Sequence, residues 1–100
     1  MDDLRESPAL RIITLLRERG ARVDYHDPHV PEVERTHGFP YEMRSVSLEG
    51  QRVERYDAVL ILTDHAGIDY AEVVARAQLV VDTRNATGRL KRFREKIIKA

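Results

Sequence analysis

The hydrophobic pattern changes period along the chain, and each change marks an element. Between residues 8 and 19, Leu10, Ile13 and Leu16, joined less regularly by Ile12 and Leu15, make one broad apolar face at helical spacing. Ser7-Pro8 opens the stretch. Serine is a good N-cap, and proline at the first helical position gives up an amide that had no partner there. Arg17 and Arg19 fall in the last turn, where they suit the helix dipole, and Gly20 supplies the stop. The spacing predicts a helix over 8–19. From Arg22 to His26 the period drops to two, with Val23 and Tyr25 on one face, which reads as a short strand ended by Asp27-Pro28.

Residues 28–44 hold Pro28, Pro31, Gly38 and Pro40 with no sustained period, so they read as a long loop, and long loops in small domains are often functional. Ser45 to Leu48 fits a second short strand, and residues 49–56 a poor helix. Ala58-Val59-Leu60-Ile61-Leu62 is a continuous apolar run, the mark of a central strand covered on both faces. Asp69 then caps a helix, with Glu72 three residues on completing a capping-box pattern and Val73, Val74 and Ala77 turned inward. Leu79-Val80-Val81 is another buried strand, closed by Asp82. Leu90, Phe93, Ile97 and Ile98 fit a helical face, yet residues 96–99 also fit an edge strand. The segment is read as a short helix followed by a strand.

Strands separated by helices, with apolar runs that do not alternate, predict a parallel sheet in an α/β sandwich. The carboxyl ends of its strands then share one edge, where ligands of open α/β sheets bind. That edge should collect His26-Asp27, Thr63-Asp64-His65 and Asp82-Thr83-Arg84-Asn85. Arginine suits phosphate there, because its planar fork makes bidentate charge-assisted contacts. The competing reading is structural: Asp64 and Asp82 cap the turns that follow them, and Arg84 neutralises them.

Composition narrows the classes. The 100 residues suit one domain, and 42% apolar with 34% charged side chains is an ordinary globular balance. Seventeen basic and seventeen acidic residues cancel, so no net field recruits nucleic acid or an anionic membrane. No apolar run approaches the roughly 20 residues of a membrane helix. The start, Met1-Asp2-Asp3-Leu4-Arg5-Glu6, lacks the basic and apolar regions of a signal peptide, so a cytoplasmic protein is expected. Without cysteine there is no disulfide, cysteine zinc site or thiol nucleophile. From Arg84 onward, Arg84, Arg89, Lys91, Arg92, Arg94, Lys96 and Lys99 face a single acid, Glu95. This is either a solvated basic tail or an anion-facing end.

Other chemistries fit poorly. His26, His29 and His37 follow no zinc spacing, and no metal site is expected. Thr63-Asp64-His65 are adjacent on one strand end and rarely reach one another as a triad would. The glycines at 20, 38, 50, 67 and 88 never form G-x-G-x-x-G or a P-loop, so the chain has no dinucleotide fingerprint.

Four segments nonetheless resemble one family. Asp3-Leu4-Arg5-Glu6-Ser7-Pro8-Ala9-Leu10 looks like the D-x-R-E-S-P segment of the C-terminal domain of UDP-glucose/GDP-mannose dehydrogenases. Val23 to Pro31 looks like its Y-D-P-x-V-P segment. Tyr56 to His65 and Leu79 to Ala86 resemble its two buried strands and the turns after them. The similarity runs in order from Asp3 to about Thr87, and four segments together are specific where one would be weak. The forms Tyr-His-Asp-Pro, Thr-Asp-His and Asp-Thr-Arg-Asn-Ala look most like the family's bacterial UDP-N-acetylglucosamine 6-dehydrogenases.

The resemblance implies a three-layer α/β sandwich with a mainly parallel, Rossmann-like sheet, residues 1–100 forming a single UDP-binding domain. It implies a parent enzyme whose Rossmann domain binds NAD and whose central region carries a catalytic cysteine. That enzyme oxidises a UDP-sugar's C6 alcohol twice, to a uronic acid, for surface polysaccharide. By position, Arg84 matches the family's nucleotide-sugar arginine. With Asn85, Arg5 and Asp3 it makes the expected substrate-binding set, Arg5 and Asp3 organising the adjoining loop. A plain ion pair of Arg5 with Glu6 is the alternative. The family's first strand and an aromatic-x-lysine segment would precede Asp3, so the sheet is expected to lack one strand and the chain alone to be inactive. The alternative function is an interaction module that pairs with a full-length dehydrogenase or with itself as a homo-oligomer, through an exposed sheet edge. A receiver-type regulator fits poorly, since Arg84 and His65 stand where its acids and lysine belong.

Overall fold

The computed structural model describes residues 8–36, 38–49 and 52–100 and divides into two compact units, Met1–Ser47 and Leu48–Ala100. In the first unit, α1 spans Pro8–Glu18 and buries Ala9, Leu10 and Ile13. Its end is set by Gly20, whose φ of 93° lets the Gly20 amide reach the Arg17 carbonyl and the Ala21 amide the Leu16 carbonyl, both at 3.0 Å. That pair of bonds is the Schellman stop, and it needs the left-handed residue.

The loop expected over 28–44 is partly ordered. β1 (Glu32–Val33) and β2 (Met43–Arg44) pair antiparallel, too briefly for a period of two to show in the sequence. Phe39 folds back beneath them, 2% exposed, and packs with Leu10, Ile13 and Val33. The strand expected over 22–26 shrinks to a single parallel bridge between Tyr25 and Ser45. Arg22 and Asp24 stay exposed, so only Val23 and Tyr25 gain from burial, and side chains finish the pairing. The Asp27 amide donates to Ser45 Oγ at 2.9 Å. His26 Nδ1 lies 2.7 Å from the Val46 carbonyl.

The second unit holds a three-stranded parallel sheet in the order β3 (Val59–Ile61), β4 (Val80–Asp82), β5 (Ile97–Lys99). This is an α/β fold, as the pattern predicts. Between β3 and β4 runs α2 (Tyr70–Arg76), capped by Asp69, whose Oδ1 accepts from the Glu72 amide at 3.2 Å. Glu72 does not complete the capping box and turns to Arg76 at 3.4 Å. One-turn 3₁₀ helices at Val53–Arg55 and Arg94–Lys96 precede β3 and β5. Val53, Ile61, Val73, Val74, Ala77 and Val80 form the core on one sheet face. On the other face Leu60 and Ile98 keep 40% and 49% of their surface, so the covering on both faces expected from the apolar run is incomplete. Among the described residues no helix is long and apolar enough to cross a membrane.

Candidate nucleotide-binding edge

At the carboxyl end of β4 the chain buries a charge. Asp82 is 1% exposed, and an isolated carboxylate there would be expensive. The turn supplies its partners. Asp82 Oδ1 accepts from the amides of Arg84 (3.0 Å) and Ala86 (3.1 Å). Oδ2 accepts from the Thr87 amide (2.9 Å) and the Thr87 hydroxyl (2.5 Å). Burial alone would raise the carboxyl's pKa. The Thr87 hydroxyl and amide, with the Arg84 and Ala86 amides, outweigh it and hold the group well below the usual carboxylate range. An anion so fully engaged within its own turn is a brace.

The brace shapes the turn it closes. Asn85 takes a left-handed φ of 59°, a conformation asparagine tolerates better than most residues. The Gly88 amide returns to the Asn85 carbonyl at 3.2 Å. A Cβ on Gly88 would lie 2.7 Å from Asn85 Oδ1, so any other residue there must push the Asn85 carboxamide aside. Thr83 ties the turn back to β3, its hydroxyl and amide donating to the Ile61 carbonyl at 2.7 and 3.1 Å. The turn after β3 is pinned separately: Tyr70 Oη accepts from the His65 amide at 2.7 Å and donates to the Thr63 carbonyl at 3.4 Å. Burial, with the nearby charges of Asp64 and Asp82, raises the Tyr70 pKa, so its hydroxyl stays protonated.

Between the two turns lies a depression of about 460 Å³ lined by polar and small side chains, among them Asp64, His65, Tyr70, Asn85 and Arg89. Two of the three polar clusters expected at the carboxyl edge therefore meet here. His26 and Asp27 are engaged within their own unit, Asp27 Oδ1 accepting from the His29 amide at 2.8 Å. Asn85 lines the depression. Arg84, next to Asn85 in sequence, is exposed and outside that lining, and its guanidinium makes no hydrogen bond or ion pair among the described residues. Asp3, Arg5 and His37 lie outside the described residues.

The competing structural reading is half right: Asp82 does cap its turn, but Lys99, not Arg84, supplies the counter-charge at 3.4 Å. The basic tail also divides. Arg94 Nη1 donates to the Thr87 carbonyl at 2.8 Å. Lys96 Nζ donates to the carbonyls of Val74 (3.2 Å) and Ala75 (3.0 Å) near the end of α2. Arg84 and Arg89 stay exposed, Arg89 in the lining of the depression. Sequence reasoning missed Tyr70, Thr87, Arg89 and Lys99. Thr87 could have been suspected from its place five residues after Asp82, but Lys99 is visible only through the β4–β5 register.

The geometry describes a polar edge, and comparison with known proteins says whose. Residues 1–89 match the profile of the UDP-glucose/GDP-mannose dehydrogenase family, UDP binding domain. The chain belongs to this family. In an alignment 93 positions long that covers 85% of this chain, it is 29% identical to a UDP-N-acetyl-D-mannosamine dehydrogenase of Methanococcus vannielii. An alignment of the same length and coverage gives 30% identity to a protein of the same name from Methanococcus maripaludis. The chain spans about a fifth of the length of these relatives, 20% in each case. No solved structure matches it. The family's UDP-binding domain includes both turns that frame the depression.

Proposed function

We propose that these residues receive the UDP part of a UDP-sugar for an NAD-dependent 6-dehydrogenase, with residues 1–100 acting as one domain. The observation that carries the reading is the depression between the β3 and β4 turns, inside the family-matched segment, with exposed Arg89 in its lining and exposed Arg84 next in sequence to Asn85. Arg84 and Arg89 would pair with the diphosphate and Asn85 would contact the ligand from the turn, while Asp3 and Arg5 organise an adjoining loop. The relatives' names make a UDP-N-acetylhexosamine the first sugar nucleotide to try.

In the whole enzyme the C6 alcohol would lose two hydrides, one to each of two NAD⁺, with water supplying the second carboxylate oxygen and three protons released. The residues here do not fit NAD itself: the β3 and β4 turns each contain a single glycine, Gly67 and Gly88, and no G-x-G-x-x-G occurs. Nor is there a cysteine for a covalent step. Substrate binding is what this domain contributes, and NAD and the chemistry are assigned to the rest of the parent enzyme.

Calorimetry of the purified chain with UDP and, separately, with ADP tests the reading. UDP should bind, and Arg84→Ala and Arg89→Ala should each weaken it about fivefold to tenfold, the worth of one exposed charge-assisted contact. No UDP heat at millimolar ligand, or equal affinity for ADP, would sink it.

A second reading has its own observation. Leu60 and Ile98 leave an apolar row on the open sheet face, which suits an interaction module pairing with a full-length dehydrogenase or with itself. Light scattering on the eluted chain decides this, since a clean monomer at high concentration counts against self-pairing.

A further inference from the structure

We infer that Lys99, on the last strand, is a positioning residue that sets the turn carrying the proposed UDP contacts. The register of the parallel pair β4–β5 places Lys99 directly beside Asp82, on the same sheet face. Its ammonium reaches two groups of the turn at once, Asp82 Oδ2 at 3.4 Å and Asn85 Oδ1 in a short hydrogen bond. The Ala100 amide adds a bond to the Asp82 carbonyl at 3.1 Å.

The two contacts differ in what they do. Asp82 has four donors from its own turn, and Lys99 adds the counter-charge to that network. Asn85 is different: its side chain bonds Lys99, its backbone is left-handed, and its carboxamide approaches Gly88 closely. Lys99 therefore fixes the one residue of the turn that both lines the depression and takes a left-handed backbone. It also couples β5 to the site, although β5 lies beyond residues 1–89 that the family profile covers. A lysine can do this because its stem lies along the sheet while its three donors remain free to fork between two acceptors.

The consequence for ligand affinity rests on the proposed UDP function, but the positioning itself does not. The test uses the full chain as wild type, Lys99→Met and Lys99→Arg. Amide hydrogen exchange is followed at Arg84, Ala86 and Thr87, which donate to Asp82, and at Val59 and Ala77, which belong to the sheet and α2. Lys99→Met should speed exchange at the three turn amides about fivefold or more and leave Val59 and Ala77 unchanged, with Lys99→Arg restoring protection. UDP affinity should fall by a similar factor in Lys99→Met and return in Lys99→Arg. Unchanged turn amides, or acceleration shared equally by Val59 and Ala77, would overturn the assignment. If the turn amides respond while the wild-type chain binds no UDP, the positioning role holds and the UDP reading fails.

Discussion

Asp82 joins folding to function at the level of a single side chain. Four protein donors and a lysine surround a carboxylate that is 1% exposed. Asp82→Asn would keep the shape but set an NH₂ group against donors, at a cost of about 3 kcal/mol. A denaturant titration should show that loss, and a change below about 1 kcal/mol would mean the brace matters little. The pH dependence follows from the same contacts. Because the folded pKa is depressed, Asp82 stabilises the fold fully above the unfolded aspartate value of about 3.9, and the contribution is lost as pH falls below it. Thermal midpoints should drop more steeply on the acid side in wild type than in Asp82→Asn. Gly88→Ala tests the neighbouring constraint. Its methyl would meet Asn85 Oδ1 at 2.7 Å, so about 1–3 kcal/mol of stability should go, read by the same titration. Of these residues, Asp82, Arg84 and Asn85 were legible as a polar cluster closing a strand. Thr87 and Lys99 were not, because their roles come from the turn's curl and from the sheet register.

Caps decided which elements the sequence could announce. Both helices were legible because each carries chemistry at its ends: Gly20 after α1 and Asp69 before α2. Gly20→Ala would put a Cβ on a residue at φ 93°, and Asp69→Ala would remove the bond to the Glu72 amide. Each should cost about 1 kcal/mol, measured as a shift in the denaturation midpoint with unchanged slope. The central strands were equally clear, since Val59–Ile61 lies within a continuous apolar run and Val80–Asp82 closes another. The segment around Tyr25 was harder. Its alternation covers only Val23 and Tyr25, and a single bridge to Ser45 with side-chain bonds is what such a pattern can sustain. The ribbon of β1 and β2 gave no signal, because two residues per strand are fewer than any periodicity needs, while Phe39 anchors the loop by burial.

For the molecule as a whole, composition excluded more than it identified. A balanced charge and the absence of cysteine set aside nucleic-acid and thiol chemistry, but the family rested on four short segments read together. The matched residues 1–89 run across both compact units. The chain spans 20% of its relatives' length, and the role proposed for it is to bind UDP. The most direct test is a UDP titration of the ¹⁵N-labelled chain followed by NMR. The account predicts saturable shifts concentrated at residues 63–70 and 82–89, the two turns around the depression. Shifts confined to the first unit, or none at millimolar UDP, would contradict it.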